Sequence, residues 1–335
     1  MEIRKQKKRM VIIILTVLVA VFAVGGIITA IQLGQMNKLN ATACNTSYGQ
    51  NRLDELKSQG ISVTRTIYSD DEIKTDPAKA LVKLYCFPNP QKQKSRFIIV
   101  CPGGAYSECA LSVEGYPPAA QLNELGYTAF VLEYRVGKNG GDFAAVDDLA
   151  AAITYITERA DEFNVEPENY ALLGCSAGGN LVGLFGTEKN GYRKYGVQKP
   201  SVIFMGYPWC NPNIKSINPA KIIMYAILNF RGYKGLIGKG AAAAEKQQMR
   251  IPWQVTENYP PCYIMHGTND IIVPIGTHSD VLAEALDKNG VLFSYERADG
   301  VNHGCGIGTG TTAENWLSGA VTFWEERVLS GNLSK

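Results

Sequence analysis

Past residue 60, short apolar runs of strand length recur along the chain: 61–68, 80–86, 96–101, 128–134, 170–175, 201–206, 262–266 and 291–297. From the fourth run onward they alternate with stretches of helical character at 143–163, 177–187, 275–289 and 313–329. Continuous apolar strands separated by helices predict a mostly parallel sheet covered on both faces. The first three runs have no long helix between them, which predicts an antiparallel start. One stretch breaks the rhythm. Residues 208–256 carry an apolar segment, Ile222 to Phe230, and a basic, glycine-rich run, Gly232 to Gly240. An insertion at that place is expected to be lid-like, covering a site on the strand ends; the alternative is a structural excursion that gates nothing.

The N-terminus follows another pattern. Val11 to Ile31 has no charged residue and is preceded by Arg4, Lys5, Lys7, Lys8 and Arg9 against Glu2 alone. A helix of that length spans a hydrocarbon core of about 30 Å. The basic flank predicts a single-pass signal anchor, with 1–10 cytoplasmic, 11–33 in the cell membrane and the rest extracytoplasmic. A cleaved signal releasing a secreted protein is the rival reading, with Ala41-Thr42-Ala43 as the cut site. Residues 34–58 are polar and read as a tether, and 59–331 as the catalytic domain.

Net charge is +2, which advertises no nucleic-acid partner. The eight cysteines permit disulfides in an exported chain, but several sit in predicted strands, where a thiol behaves as a small hydrophobe. No CxxC pair occurs and the three histidines are far apart, so no metal site is expected.

The strongest chemical signal is Gly174-Cys175-Ser176-Ala177-Gly178-Gly179. It follows a predicted strand and opens a predicted helix, the context of a nucleophile elbow. Ser176 would sit at the tight turn, with Gly174 and Gly178 where the backbone passes too close for a side chain. A helix N-terminus at the serine favours a developing anion. The oxyanion hole should draw on the amide of Ala177 and on the turn Cys101-Pro102-Gly103-Gly104-Ala105-Tyr106, through Gly103 and Gly104. Among the histidines, His303 lies in a glycine-flanked loop after the last strand and fits the base. His266 is expected to support the turn presenting Asp270, the chosen acid, and His278 to be a surface residue of a helix. The order Ser, Asp, His along the chain suits this fold. Arg135 should pair with a nearby carboxylate, and Asp147 and Asp148 should be structural. Tyr106, Trp209 and Trp253 are candidates for the pocket wall.

These motifs resemble the acetylesterase and feruloyl-esterase-like branch of the α/β-hydrolase superfamily, related to the hormone-sensitive-lipase type. The resemblance covers about residues 80–329 and includes the Pro-Gly-Gly turn, Phe130-Val131-Leu132-Glu133-Tyr134-Arg135, the Ser-Ala-Gly-Gly elbow, the His-Gly-Thr-Asn-Asp loop, His303-Gly304-Cys305-Gly306 and Trp316. It implies an α/β-hydrolase fold and a cofactor-free serine carboxylesterase acting on small acyl groups, acetyl on carbohydrate included. By motif position it implies Ser176, Asp270 and His303 as triad, and Gly103 and Gly104 as oxyanion turn. Ala105 departs from the family's third glycine. A lipase on longer chains, a serine peptidase and an inactive hydrolase fold used for binding are the alternatives. Because every motif lies beyond it, a chain starting near Asn51 is expected to remain active.

Overall fold

The computed structural model describes Met10, Ile31, Gly34, Asn40 and residues 42–331, except Ser62 and 213–218; the side chains of 219–223 are also outside the description. The proposed membrane segment, Ile31 apart, therefore lies outside the described residues. Among the described residues no helix is long and apolar enough to cross a membrane.

The predicted runs form one eight-stranded sheet: β1 (Thr64–Arg65), β2 (Lys83–Phe87), β3 (Phe97–Cys101), β4 (Thr128–Glu133), β5 (Ala171–Cys175), β6 (Val202–Gly206), β7 (Cys262–Gly267) and β8 (Phe293–Ala298). Their order is β1-β2-β4-β3-β5-β6-β7-β8. β1 pairs with β2, and β2 with β4, antiparallel; every pairing from β4 through β8 is parallel. The antiparallel start is as expected, but the first strand is only two residues long, not eight. β3, β5 and β6 are buried at every position, as strands with both faces covered must be.

Helices complete the layers: α1 (Thr46–Ser58), α2 (Tyr116–Glu124), α3 (Ala144–Glu158), α4 (Ala177–Phe185), α5 (Pro219–Ile237), α6 (Ser279–Lys288) and α7 (Trp316–Phe323). The sheet separates two apolar layers. One gathers Leu149, Ile153, Leu181, Leu184 and Leu282; the other gathers Leu53, Leu56, Ala120, Trp316 and Trp324.

Two elements depart from the sequence reading. The α2 helix was hidden by Pro117 and Pro118, which sit in its first turn, where their missing N–H groups cost nothing. The segment read as a polar tether is, from Thr46 on, the packed helix α1. Its polar residues are on its outer side, while Leu53 and Leu56 are buried. Gly49 lets it approach the first turn of α2 so closely that a Cβ would lie 2.3 Å from Pro117 N.

Arg135, at the end of β4, joins helix α3 to the sheet. Its guanidinium lies 2.8 Å from fully buried Asp148 and 2.6 Å from Asp76. Burial raises the pKa of the Asp148 carboxyl, opposed by the arginine and by the Tyr68 hydroxyl. This is the expected pairing of Arg135.

Candidate functional site

The parallel strands deliver the candidate residues from their C-terminal ends, where open α/β sheets place their ligand sites. Ser176 follows β5 with φ 52 and ψ −116, a left-handed backbone that a non-glycine residue adopts at a cost of about 1–3 kcal/mol. The surroundings hold it there. Ser176 N donates to Gly206 O at 3.0 Å, and Trp209 N donates to Ser176 O at 2.9 Å. The glycines behave as the elbow requires. A Cβ on Gly174 would meet Gly178 O at 2.2 Å, and one on Gly178 would meet Cys101 O at 1.9 Å.

Ser176 Oγ lies 2.9 Å from His303 Nε2, and His303 Nδ1 lies 2.6 Å from Asp270 Oδ2. The other Asp270 oxygen accepts N–H bonds from Ile272 (2.9 Å) and Val273 (2.8 Å). His266 supports this carboxylate as expected. Its Nε2 faces Asp270 Oδ2 at 3.0 Å and Val273 O at 2.8 Å. Two acceptors at one nitrogen fix the proton there, so Nδ1 accepts from the Ser279 hydroxyl at 2.7 Å.

The electrostatics follow from burial and these partners. Burial pushes the Asp270 pKa up, but His303 and His266 outweigh it and hold the group well below the usual carboxylate range. For His303, burial acts to lower the pKa; Asp270, by charge and hydrogen bond, and then Glu114 outweigh it and leave it above 6.5. His278 is not the surface residue the helix pattern predicts. It is fully buried, accepts Asn211 N–H on Nδ1 at 3.1 Å, and has its pKa pushed down to about 3, first by burial and then by His266. It stays neutral and does not reach Ser176. Cys175 is likewise inert: burial, with Glu114 adding to it, holds its thiol well above the usual range.

The oxyanion turn needs a correction. Gly103 N donates at 2.7 Å to the buried carboxylate of Glu114, so this amide is already engaged. Gly104, with φ +120, Ala105 and Ala177 line the cavity beside Ser176 and carry the amides left for a developing oxyanion. Ala177 opens α4, and a first-turn N–H has no partner within its helix. Glu114 was missed in the sequence because it lies in an unremarkable stretch before Gly115. It also hydrogen-bonds the Tyr207 side chain, whose oxygen accepts Gly306 N–H at 3.0 Å and whose ring meets His303 edge-on at 5.0 Å.

These residues line a cavity of about 430 Å³, with walls that include Gly104, Glu114, Ser176, Ala177, Trp209 and His303. Of the aromatic candidates, Trp209 lines it. Tyr106 does not; its hydroxyl is held by Asn180 at 2.9 Å and it borders an adjoining groove. Trp253 is absent from both cavities and is exposed, with Arg250 stacked over it at 3.6 Å. The insertion supplies Leu228 and Arg231 to the cavity wall. Glycines let α5 seat closely: a Cβ on Gly232 would lie 2.2 Å from the Trp209 ring, and one on Gly235 would lie 2.3 Å from Tyr106 O.

The N-terminal segment also reaches the site. Asn40 lines the cavity and donates through Nδ2 to His303 O at 2.5 Å. Cys44 Sγ donates to Gly304 O at 3.1 Å, and Thr309 N to Ala43 O at 3.0 Å. A chain starting near Asn51 would lose every one of these contacts with the His303 loop.

A left-handed serine after a parallel strand, hydrogen-bonded through a histidine to a buried aspartate, defines an α/β-hydrolase with the site of a serine hydrolase. The chain belongs to the BD-FAE family, whose model matches residues 83–286. It is 28% identical over 238 residues to an acetylxylan esterase of Xylanibacter ruminicola, covering 70% of this chain and 45% of that protein. It is 25% identical to the esterase LipC of Mycobacterium tuberculosis, covering 74% and 62%. The chain thus spans about half the length of the first of these relatives. An acetyl ester-xyloside bifunctional hydrolase from Caldicellulosiruptor lactoaceticus superposes with a TM-score of 0.66 at 26% identity, covering 78% of this chain and 95% of that one. These relatives and structural neighbours are carboxylesterases and hydrolases.

Two expectations come from this geometry. The His303 imidazole should titrate above 6.5, followed through its ring proton resonances. Glu114→Gln removes a negative charge beside it and should move the midpoint to lower pH; an unchanged midpoint would contradict the arrangement. Asn40→Ala, and removal of all residues before Asn51, should slow fluorophosphonate labelling of Ser176 about tenfold or more, because the His303 loop loses its backing. Labelling at the full-length rate by a folded truncated chain would show that the segment does not shape the site.

Proposed function

We propose that this protein is a serine carboxylesterase that removes small acyl groups, acetyl foremost, from a carbohydrate or another small alcohol. The observation that carries the reading is the unbroken relay from Ser176 Oγ through His303 to Asp270, at 2.9 Å and 2.6 Å. Ser176 attacks the acyl carbon as His303 Nε2 takes its proton. The amides of Gly104 and Ala177 receive the oxyanion. The imidazolium, stabilised by Asp270, then protonates the departing alcohol. Water hydrolyses the acyl-enzyme by the same steps in reverse roles. The acetylxylan esterase and the acetyl ester hydrolase among the similar proteins support the choice of acetyl.

The apolar walls Leu228, Ile272 and Val273 favour a second reading, a lipase for longer chains. Each buried methylene would gain about 0.8 kcal/mol in a pocket long enough to hold it. A short pocket instead leaves the extra carbons in water or forces them against packed side chains. We further propose that residues 11–33 anchor the protein in the membrane with the catalytic domain outside, on the strength of the basic flank before Val11.

A nitrophenyl-ester series from acetyl upward should give its highest kcat/KM at four carbons or fewer, with turnover abolished in Ser176→Ala. An optimum at eight carbons or beyond would make the enzyme a lipase, and full turnover by folded Ser176→Ala would remove the serine assignment. Protease added to intact protoplasts should digest the catalytic domain. Digestion only after lysis would reverse the topology.

A further inference from the structure

Beside the catalytic cavity runs a second, larger groove of about 650 Å³, whose walls include Ser107, Lys138, Ile227, Phe230, Arg231 and Lys234. Ser107 and Arg231 line both cavities, so the two adjoin. Their charges are opposite in character. The catalytic cavity carries the carboxylates Glu108 and Glu114 in its walls, with Arg231 at the boundary. The groove walls carry three cations, Lys138, Arg231 and Lys234, and no carboxylate. The described residues form many ion pairs, and none of them involves these three. Phe230 is 64% exposed and Ile227 49%, so an apolar surface faces the same space.

Unpaired cations gathered in a concave site repel one another and gain by receiving an anion. An aromatic ring and an aliphatic side chain beside them offer a flat apolar platform. We infer that this groove is the subsite for the alcohol portion of the ester, and that this portion is an acidic saccharide bearing a carboxylate or a phosphate. The inference rests on the esterase reading and adds a substrate class to it. It also orients the substrate. The cations lie along the groove and not beside Ser176, so the neutral acyl ester enters between Ser176 and Trp209 while the acidic sugar lies along Lys138 and Lys234. Arg231, at the junction, faces both parts.

The test compares matched substrates within each protein, so that a general loss of activity cancels. An acetylated uronate disaccharide is set against its carboxyl methyl ester, and an acetylated disaccharide phosphate against the unphosphorylated form. The full chain should prefer the anionic member by about tenfold in kcat/KM at low salt, and the preference should shrink as salt screens the charges. In Lys138→Gln/Lys234→Gln the ratio should fall toward one. Preference for the uronate alone or the phosphate alone identifies which anion the groove takes. A ratio near one for both pairs in the unaltered protein, or an unchanged ratio in the double variant, would overturn the inference. Calorimetric titration of Ser176→Ala with the deacetylated uronate and phosphate saccharides separates this outcome from failure of the esterase reading. Loss of all ester turnover overturns only that reading, whereas absence of binding by both anions, or equal binding after the lysines are replaced, removes the subsite.

Discussion

The site depends on how closely two backbone turns pass each other. The chain leaving β3 and the chain leaving β5 run side by side, since these strands are parallel neighbours with Cys101 opposite Gly174. A Cβ on Gly178 would penetrate to 1.9 Å of Cys101 O, and one on Gly103 would come within 2.8 Å of both Cys175 O and Ser176 Cβ. No rotamer relieves a clash at Cβ, so a side chain at either position forces the turns apart. Separation would carry the Gly104 amide away from the Ala177 amide and defeat any oxyanion site shared between them. The strained φ of Ser176 belongs to the same constraint. It turns the serine out of the sheet, and it persists because its backbone N–H is bonded to the last residue of β6 and its carbonyl to Trp209 just beyond.

Charge is arranged around His303 with the same economy. Asp270 stands beside the ring at 2.6 Å, and the charge of Glu114 adds to its effect. Two buried carboxylates are costly unless their oxygens are bonded. Asp270 receives two backbone N–H groups and two histidines; Glu114 receives Gly103 N–H and the Tyr207 side chain. The environment therefore favours a positive charge on the imidazole, the charge that appears when it removes the serine proton. Glu114 thereby couples two parts of the site, since the same carboxylate holds the Gly103 amide and acts on the charge of His303.

The parts of this site that sequence made legible are those where chemistry forces a residue type at a fixed spacing. The glycines around Ser176, the Gly-Gly turn after β3 and the Asp-bearing loop after β7 are of that kind, and the continuous apolar runs of β3, β5, β6 and β7 followed from strands buried at every position. What escaped lay where spacing carries no signal. His278 begins an amphipathic helix pattern, yet it is buried, with Asn211 of the insertion donating to its ring. Gly103 and Gly104 look equivalent in the sequence; only the distant Glu114 distinguishes them by occupying one amide. Helix α1 is polar along most of its length, and its two buried leucines are too few to raise a helical period above its surroundings.

That helix alters the relation between the site and the N-terminus. The family match begins at residue 83 and ends at 286, so both Asn40 and the His303 loop it holds lie outside it. The pairing is thus made by the flanks of this chain. Given the proposed anchor, its consequence is geometric. Seven residue-to-residue steps lead from position 33 to Asn40, and an extended chain advances at most about 3.6 Å per residue. The rim of the catalytic cavity then lies within about 25 Å of the end of the apolar segment, whatever path the chain takes between them. A free tether of 25 residues would have let the domain roam several times farther. A domain held this close meets esters at or near the membrane surface, and soluble polymers must reach it there.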